Sequence, residues 1–383
     1  MLWFVTLLHT DIPTRAQIDR LFRSRGVGRV SLYLATDPAT TNDAARIELK
    51  DLTSDAVHQL RPAGTDKRLV SAVEEQLADL ADDEEFWRYQ ARSLALFATA
   101  DSLTTFRLPN HLAPGVEVSD RFHVKPLLRS VTFPQTAFVL ALAQGSVRLL
   151  EIVPGLDPAT VAVPDLPTDV ASAVGKASIK NRAPVRRLQG SEGQKVRMRQ
   201  FARQIDHALR PVLPGHGVPL ILAGAEPLLS IFRALCGYPD LAPYAITGNP
   251  ETLRDDELDT AARDVLDKVY ATQLDDVHTL FDQRTAQGRT ATDIADVARL
   301  ATHGAVDTVF VDIDHTVPGI VDDDTGAVEF ADIDDAVAYG VVDEICRRVW
   351  LTDGRVLAVR RDDIPGRGDV AAILRYNPAP NGH

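Results

Sequence analysis

Apolar residues recur at helical spacing over Thr14–Arg25, where Ile18, Leu21 and Phe22 fall at steps of three and four ahead of Gly26. That pattern predicts a helix stopped by the glycine. Val27–Thr36 reads as a strand closed by Pro38, and Asp43–Leu60 and Arg68–Leu80 read as a helical pair. Ser93–Thr99 and Thr104–Leu108 flank a short polar Asp-Ser step, the pattern of a hairpin. Further on, Thr136–Ala143 and Val147–Val153 lie either side of a turn at Gly145 and predict an antiparallel pair. Pro154, Pro158, Pro164 and Pro167 exclude a helix between them, because proline lacks the amide donor. They predict a surface connection.

The pattern then turns helical over Gln194–Leu213, apolar and buried over Pro219–Gly224, and helical over Pro227–Leu235. Glu251–Thr285 predicts one or two helices. Thr292–His303 predicts another, with Thr292 as its N-cap. Val306–Asp312 reads as a buried strand, Asp332–Val349 as a helix, and Arg355–Val359 and Ile373–Tyr376 as strands. Helices alternating with strands indicate an α/β protein in layers. The pattern restarts near Leu127 and Pro250, which gives three expected domains, 1–126, 127–249 and 250–383, the last an α/β/α sandwich.

With 383 residues, 45% hydrophobic and 25% charged, the chain has material for several cores and no sign of wholesale disorder. The apolar run Met1–Leu8 ends at Asp11 and Pro13, well short of the ~20 residues of a spanning helix, and no basic stretch precedes it. A cytoplasmic chain with no membrane partner is expected. Cys236 and Cys346 have no Cys or His at ligand spacing, so neither a metal site nor a cofactor is expected, and two buried thiols are the simple expectation. The net charge of −13 opposes nonspecific nucleic-acid binding by the chain as a whole.

The charge is unevenly spread. Gly175–Arg210 holds Lys176, Lys180, Arg182, Arg186, Arg187, Lys195, Arg197, Arg199, Arg203 and Arg210 against only Glu192 and Asp206. Such an island marks a candidate phosphate-contacting surface. On its helix, Met198, Phe201, Ile205, Ala208, Leu209 and Val212 share one side, while Lys195, Arg199 and Arg203 repeat every fourth residue on the other. Gln189-Gly190-Ser191-Glu192-Gly193-Gln194 precedes it, and its glycines predict a flexible loop. A basic helix face is by itself an ordinary solvated face, so a non-enzymatic protein-interaction module stays open.

These residues carry a resemblance. The loop Glu192-Gly193-Gln194 leading into the basic helix is similar to the Gly-Gly-Gln loop and basic helix of class-1 peptide-chain release factors, which are relatives of Pelota. Val30-Ser31-Leu32-Tyr33-Leu34 and the strand end Asp312-Ile313-Asp314 fit the same group. The whole chain resembles the bacterial archaeo-eukaryotic release factor family. The resemblance implies a three-domain release-factor-like architecture, with a ribonuclease-H-like middle domain and a last domain like kink-turn-binding ribosomal proteins. It implies a ribosome-associated translation factor with ribosomal RNA or tRNA as partner. Gly193 and Gln194 would form the loop tip at a peptidyl-tRNA ester, and Lys195, Arg197, Arg199, Arg203, Arg186 and Arg187 would meet RNA. Glu192 replaces the first glycine of the triplet, and a carboxylate there costs electrostatically, which counts against ester hydrolysis. No Asn-Ile-Lys-Ser motif for codon reading is present, so rescue, stalling or hibernation fits better than codon-specific termination.

One rival site stands in the last region. Val309-Phe310-Val311-Asp312-Ile313-Asp314-His315-Thr316 matches the first motif of haloacid-dehalogenase-type phosphatases, in which Asp312 would be the nucleophile and Asp314 the acid/base beside Mg²⁺. No lysine follows Lys268 to balance a phosphoryl group. No Walker loop, Gly-x-Ser-x-Gly elbow or dinucleotide fingerprint occurs.

Overall fold

The computed structural model describes residues 10–61, 66–132, 135–154, 156–173, 191–213, 218–312, 315–331 and 339–377. The chain divides into two compact units, one formed by Met1–Thr10 with Pro134–Tyr270 and the other by Asp11–Phe133 with Ala271–His383. The boundary read after residue 126 falls inside a helix, Lys125–Thr132, and the boundary before residue 250 falls just ahead of another, Asp255–Thr285.

In the segment 11–133, α1 (Arg15–Arg23) begins with a capping box. Thr14 accepts from the Gln17 amide while the Gln17 side chain accepts from the Thr14 amide. β1 (Arg25–Ala35) follows, then α2 (Asp43–Leu60), α3 (Lys67–Asp82), α4 (Glu84–Arg88), β2 (Ser93–Ala98), β3 (Leu103–Leu108), β4 (Gly115–Arg121) and α5 (Lys125–Thr132). The strands form one antiparallel sheet in the order β3-β2-β1-β4, and β2 and β3 are the expected hairpin. Alternation along β1 shows why this strand reads as continuously apolar. Val30, Leu32 and Leu34 pack with Leu49, Leu60, Val73 and Leu77 of α2 and α3. Tyr33 lies on the opposite face, in a core shared with residues 297–374.

The segment 134–270 holds β5 (Ala137–Leu142), β6 (Val147–Ile152), β7 (Ala159–Val161), α6 (Ser191–Leu209), β8 (Leu220–Gly224), α7 (Leu228–Leu235) and β9 (Leu241–Thr247), and enters the long helix α8 (Asp255–Thr285). Its sheet runs β7-β6-β5-β8-β9. β5, β6 and β7 form an antiparallel meander, while β8 runs parallel to β5 and β9 parallel to β8. Ala137, Val139 and Ala141 of β5 pack with Leu258, Ala262 and Val265 of α8.

The last segment contains β10 (Thr290–Ala291), α9 (Ile294–Thr302), β11 (Val306–Asp312), β12 (Pro318–Val321), β13 (Val328–Phe330), β14 (Tyr339–Gly340), α10 (Val341–Leu351), β15 (Arg355–Val359) and β16 (Val370–Leu374). The larger sheet is β10-β16-β11-β15 and the smaller β13-β12-β14. Val309 and Val311 of β11 share a core with Val297 and Ala301 of α9 and Ile345 of α10. The intervening Phe310 ring meets His278 and Phe281 of α8. Helices therefore cover both faces of this sheet.

Two expectations are corrected. The α9 cap is Asp293, whose carboxylate accepts from the Ala295 and Asp296 amides, and not Thr292. The helix expected over Asp332–Val349 begins only at Val341, after the two-residue strand Tyr339–Gly340; residues 332–338 lie outside the described residues. Of the two thiols, Cys346 is buried and Cys236 only half-buried.

Candidate nucleic-acid interface

The basic helix α6 is two-faced as its sequence dictates. Met198, Phe201, Ala202, Ile205, Ala208 and Leu209 are buried, whereas Lys195, Arg199 and Arg203 are exposed. His207, also exposed, extends this row by one more step of four. Each step climbs about 6 Å along the helix, so the row is a line of nitrogen bases one turn apart. Arg197, one of the expected RNA contacts, is half-buried at the edge of the row. Arg186 and Arg187 lie outside the described residues. Arg210 is engaged within its own helix, donating from Nε and Nη2 to Asp206 at 3.1 and 2.7 Å. Asp206 is buried and also accepts from the Gly237 amide at 2.8 Å. Of the two acids inside the basic island, Asp206 is thus engaged by Arg210 and the Gly237 amide.

Gly193 and Gln194 are not in a loop. α6 begins at Ser191, so both fall in its first turn, with Gly193 buried and Gln194 exposed. The Gln194 amide lies 3.4 Å from the side-chain oxygen of Gln144 in the β5–β6 turn. Glu192 is in the same helical turn. The expected loop is therefore helix over residues 191–194, which form the polar first turn of α6; residues 189 and 190 lie outside the described residues.

Beside the row, Pro164, Asp165, Gln200, Arg203, Gln204, His207, Ala208 and Pro211 line an open groove of about 410 Å³. Gln200 and Gln204 are half-buried, and Gln204 Nε2 donates to the Ala173 carbonyl at 3.1 Å. Sequence reading missed this groove and His207. Spacing on the helix does place His207 in register with Arg203, but the loop residues Pro164 and Asp165 carry no local sign that they face α6.

The rival strand end is built differently from what its motif suggests. Asp312 is buried at the end of β11, and Asp314 lies outside the described residues. A lysine does reach this point, from far earlier in the chain: buried Lys125 donates from Nζ to the main-chain oxygens of Asp312 and His315 at 3.4 and 2.5 Å. The ammonium is thereby committed to carbonyls that close the strand end, and is not left to balance a phosphoryl group. Among the described residues, no group of three His, Cys, Asp or Glu side chains is placed to hold a metal ion. No helix among them is long and apolar enough to cross a membrane.

Comparison with known proteins bears on the segment that carries the row. Residues 134–272 match the model for bacterial archaeo-eukaryotic release factor family 11. No curated protein matches the chain in sequence. Among solved structures, the archaeal translation termination factor aRF1 is 14% identical, with 95% of this chain and 99% of that chain covered and a TM-score of 0.25. Dom34 of S. cerevisiae, a translation termination-like factor, is 11% identical, with 78% and 83% covered and a TM-score of 0.44. Pelota of Archaeoglobus fulgidus is 12% identical, with 97% and 95% covered and a TM-score of 0.31. These likenesses are distant.

Proposed function

We propose that this chain, whose residues 134–272 carry the signature of bacterial archaeo-eukaryotic release factor family 11, is a ribosome-associated translation factor of the rescue, stalling or hibernation type. The observation that carries this reading is the row Lys195, Arg199 and Arg203, exposed on a helix inside the matched segment of an otherwise acidic chain. Ribosomal RNA or tRNA is the partner whose charge suits it, because phosphates released from their counterions supply the sequence-independent part of such affinity. The order of the middle sheet, an antiparallel meander followed by two parallel strands, supports a ribonuclease-H-like reading of that segment.

The chemistry is binding more than hydrolysis. Gln194 in a helical turn beside Gln144 is poorly placed to lead a mobile tip to an ester, and Glu192 adds a negative charge at the position of a glycine. Purified wild-type protein is expected to release no peptide from peptidyl-tRNA on ribosomes. Release that is abolished by Gln194→Ala would reverse this half of the proposal.

Ribosome co-sedimentation across a salt series tests the other half. Replacing Lys195, Arg199 and Arg203 together by Gln should weaken association and flatten the log–log salt slope by about 0.7–0.9 per lost phosphate contact. The fold should persist, since the buried side of α6, from Met198 to Leu209, is untouched. Unchanged affinity and slope would remove the RNA-contact role.

A further inference from the structure

The groove beside the cation row has the wrong chemistry for a bare phosphate and the right chemistry for a base. Two parallel rows run along α6, one residue apart. Arg199, Arg203 and His207 form the outer row, and Gln200, Gln204 and Ala208 form the inner one. The inner row faces into the groove together with Pro164, Asp165 and Pro211. Apolar Pro164, Ala208 and Pro211 give walls against which a flat ring can pack. Arg203 belongs to the row and to the groove lining, and a guanidinium can stack on a base plane while its edge meets phosphate.

Beside the Arg203, His207 and Gln200 donors, the groove also offers acceptors. Gln204 spends one of its two amide N–H groups on the Ala173 carbonyl, which fixes the side chain and leaves its oxygen as an acceptor. Asp165, exposed and held at φ 59°, presents a carboxylate. An anion alone would be repelled by that carboxylate, whereas an exocyclic amine would donate to it, as cytosine N4 donates to Asp or Glu. From these observations we propose that the groove lined by Asp165, Gln200, Arg203 and Gln204 is a slot for one unpaired, amine-bearing base of an RNA strand whose phosphates run along Lys195, Arg199 and Arg203. The inference rests on the RNA-contact reading of that row, but adds a base-specific site to it.

The test is fluorescence anisotropy of the full chain with short labelled oligoribonucleotides of equal length and charge: oligoadenylate, oligouridylate, and a strand with abasic sites at its centre. Adenylate should bind about tenfold tighter than the other two, the scale of one good base contact. Gln204→Ala should remove most of that preference while leaving abasic-strand binding and its salt slope unchanged, which also shows that the variant is folded; Asp165→Asn should remove it too, with the abasic strand bound slightly tighter because a repelling charge is gone. Asparagine tolerates the left-handed backbone at this position. Equal binding of all three strands, equal losses on all three in the variants, or no binding of any strand would overturn the slot. Polyglutamate bound as tightly as the adenylate strand would assign the groove to acidic protein and overturn it too. The outcomes separate from those of the ribosome experiment: a salt-dependent, row-dependent ribosome association with no base preference rejects the slot and keeps the row.

Discussion

Glu344 shows how much can hang on one side chain. Its carboxylate is fully buried and accepts from Arg121 at 2.6 Å, from Arg347 at 2.6 and 2.8 Å and from Arg348 at 2.7 Å, with Arg25 at 3.7 Å. Burial opposes its ionisation, but the hydrogen bonds and charges of Arg347, Arg121 and Arg348 outweigh it and hold the pKa below the usual carboxylate range. Removing the acid leaves guanidinium groups crowded and partly buried, so Glu344→Ala should cost about 3–5 kcal/mol in urea unfolding; a loss below 1 kcal/mol would mean that solvent already screens the cluster. His123 sets a second, opposite pH limit. Burial alone would depress its pKa, but the Asp343 carboxylate at 2.9 Å and Glu117 at 3.4 Å outweigh burial and Lys125, and push it up to about 9. A raised folded pKa means stability that is complete below the unfolded value of 6.5 and is lost as pH rises through about 9. Unfolding midpoints should fall between pH 6.5 and 9 in the wild type and stay nearly flat in His123→Gln. A midpoint that falls equally in both would assign the loss to other groups.

Elements differed in how far they could be read, and the reasons are physical. α6, the hairpin β2–β3 and the pair β5–β6 followed directly from periodicity, because each has one strongly apolar face or two short apolar runs at a tight turn. Two of the strands that escaped are edges of their sheets. β4 is Gly115–Arg121, half-buried and polar on one side of the first sheet, and β9 is Leu241–Thr247, which carries Pro243. An edge strand needs only one partner, so it tolerates both polar residues and a proline that the pattern takes as a break. The site was legible in the same uneven way. Lys195, Arg199 and Arg203 were visible from spacing alone, whereas Asp165 reaches the groove only through the connection before α6, and Lys125 reaches the β11 end from a different segment. Helix starts were the least readable, since Thr292 and Asp293 are both good caps. The structure's choice of Asp293 has a consequence: Asp293→Ala should destabilise by about 1 kcal/mol and Thr292→Ala by much less. Equal costs in thermal unfolding would contradict the cap geometry.

At the scale of the whole molecule, three segments read from the chain and two compact units make different predictions for fragments. The first sheet buries two faces. One face packs on α2 and α3, all within residues 30–118. The other carries Tyr33, Ala95, Phe97, Phe106 and Leu108, and these share a core with Val309, Val311, Val341, Ile345 and Val356 of the last segment. Polar ties follow the same route: Trp350 Nε1 donates to Asp19 at 2.5 Å, and Thr132 Oγ1 to the Val356 carbonyl at 3.3 Å. A fragment of residues 1–126 would expose that second face to water, at roughly 25 cal/mol per Å² of apolar surface, and would lose the Glu344 carboxylate from between Arg25 and Arg121. In residues 134–270 one described cluster, with Val139, Ile152, Ile221, Leu258 and Val265, comes wholly from the one segment. Fragment 134–270 should therefore give a dispersed NMR spectrum and a cooperative melt, while 1–126 should aggregate or stay molten, and adding 271–383 in trans should restore a cooperative melt to 11–133. If 1–126 melts cooperatively alone, the domain is autonomous and its shared core is a docking surface; if it does not, the two ends of the chain fold as one body and the release-factor-like segment is an insert between them.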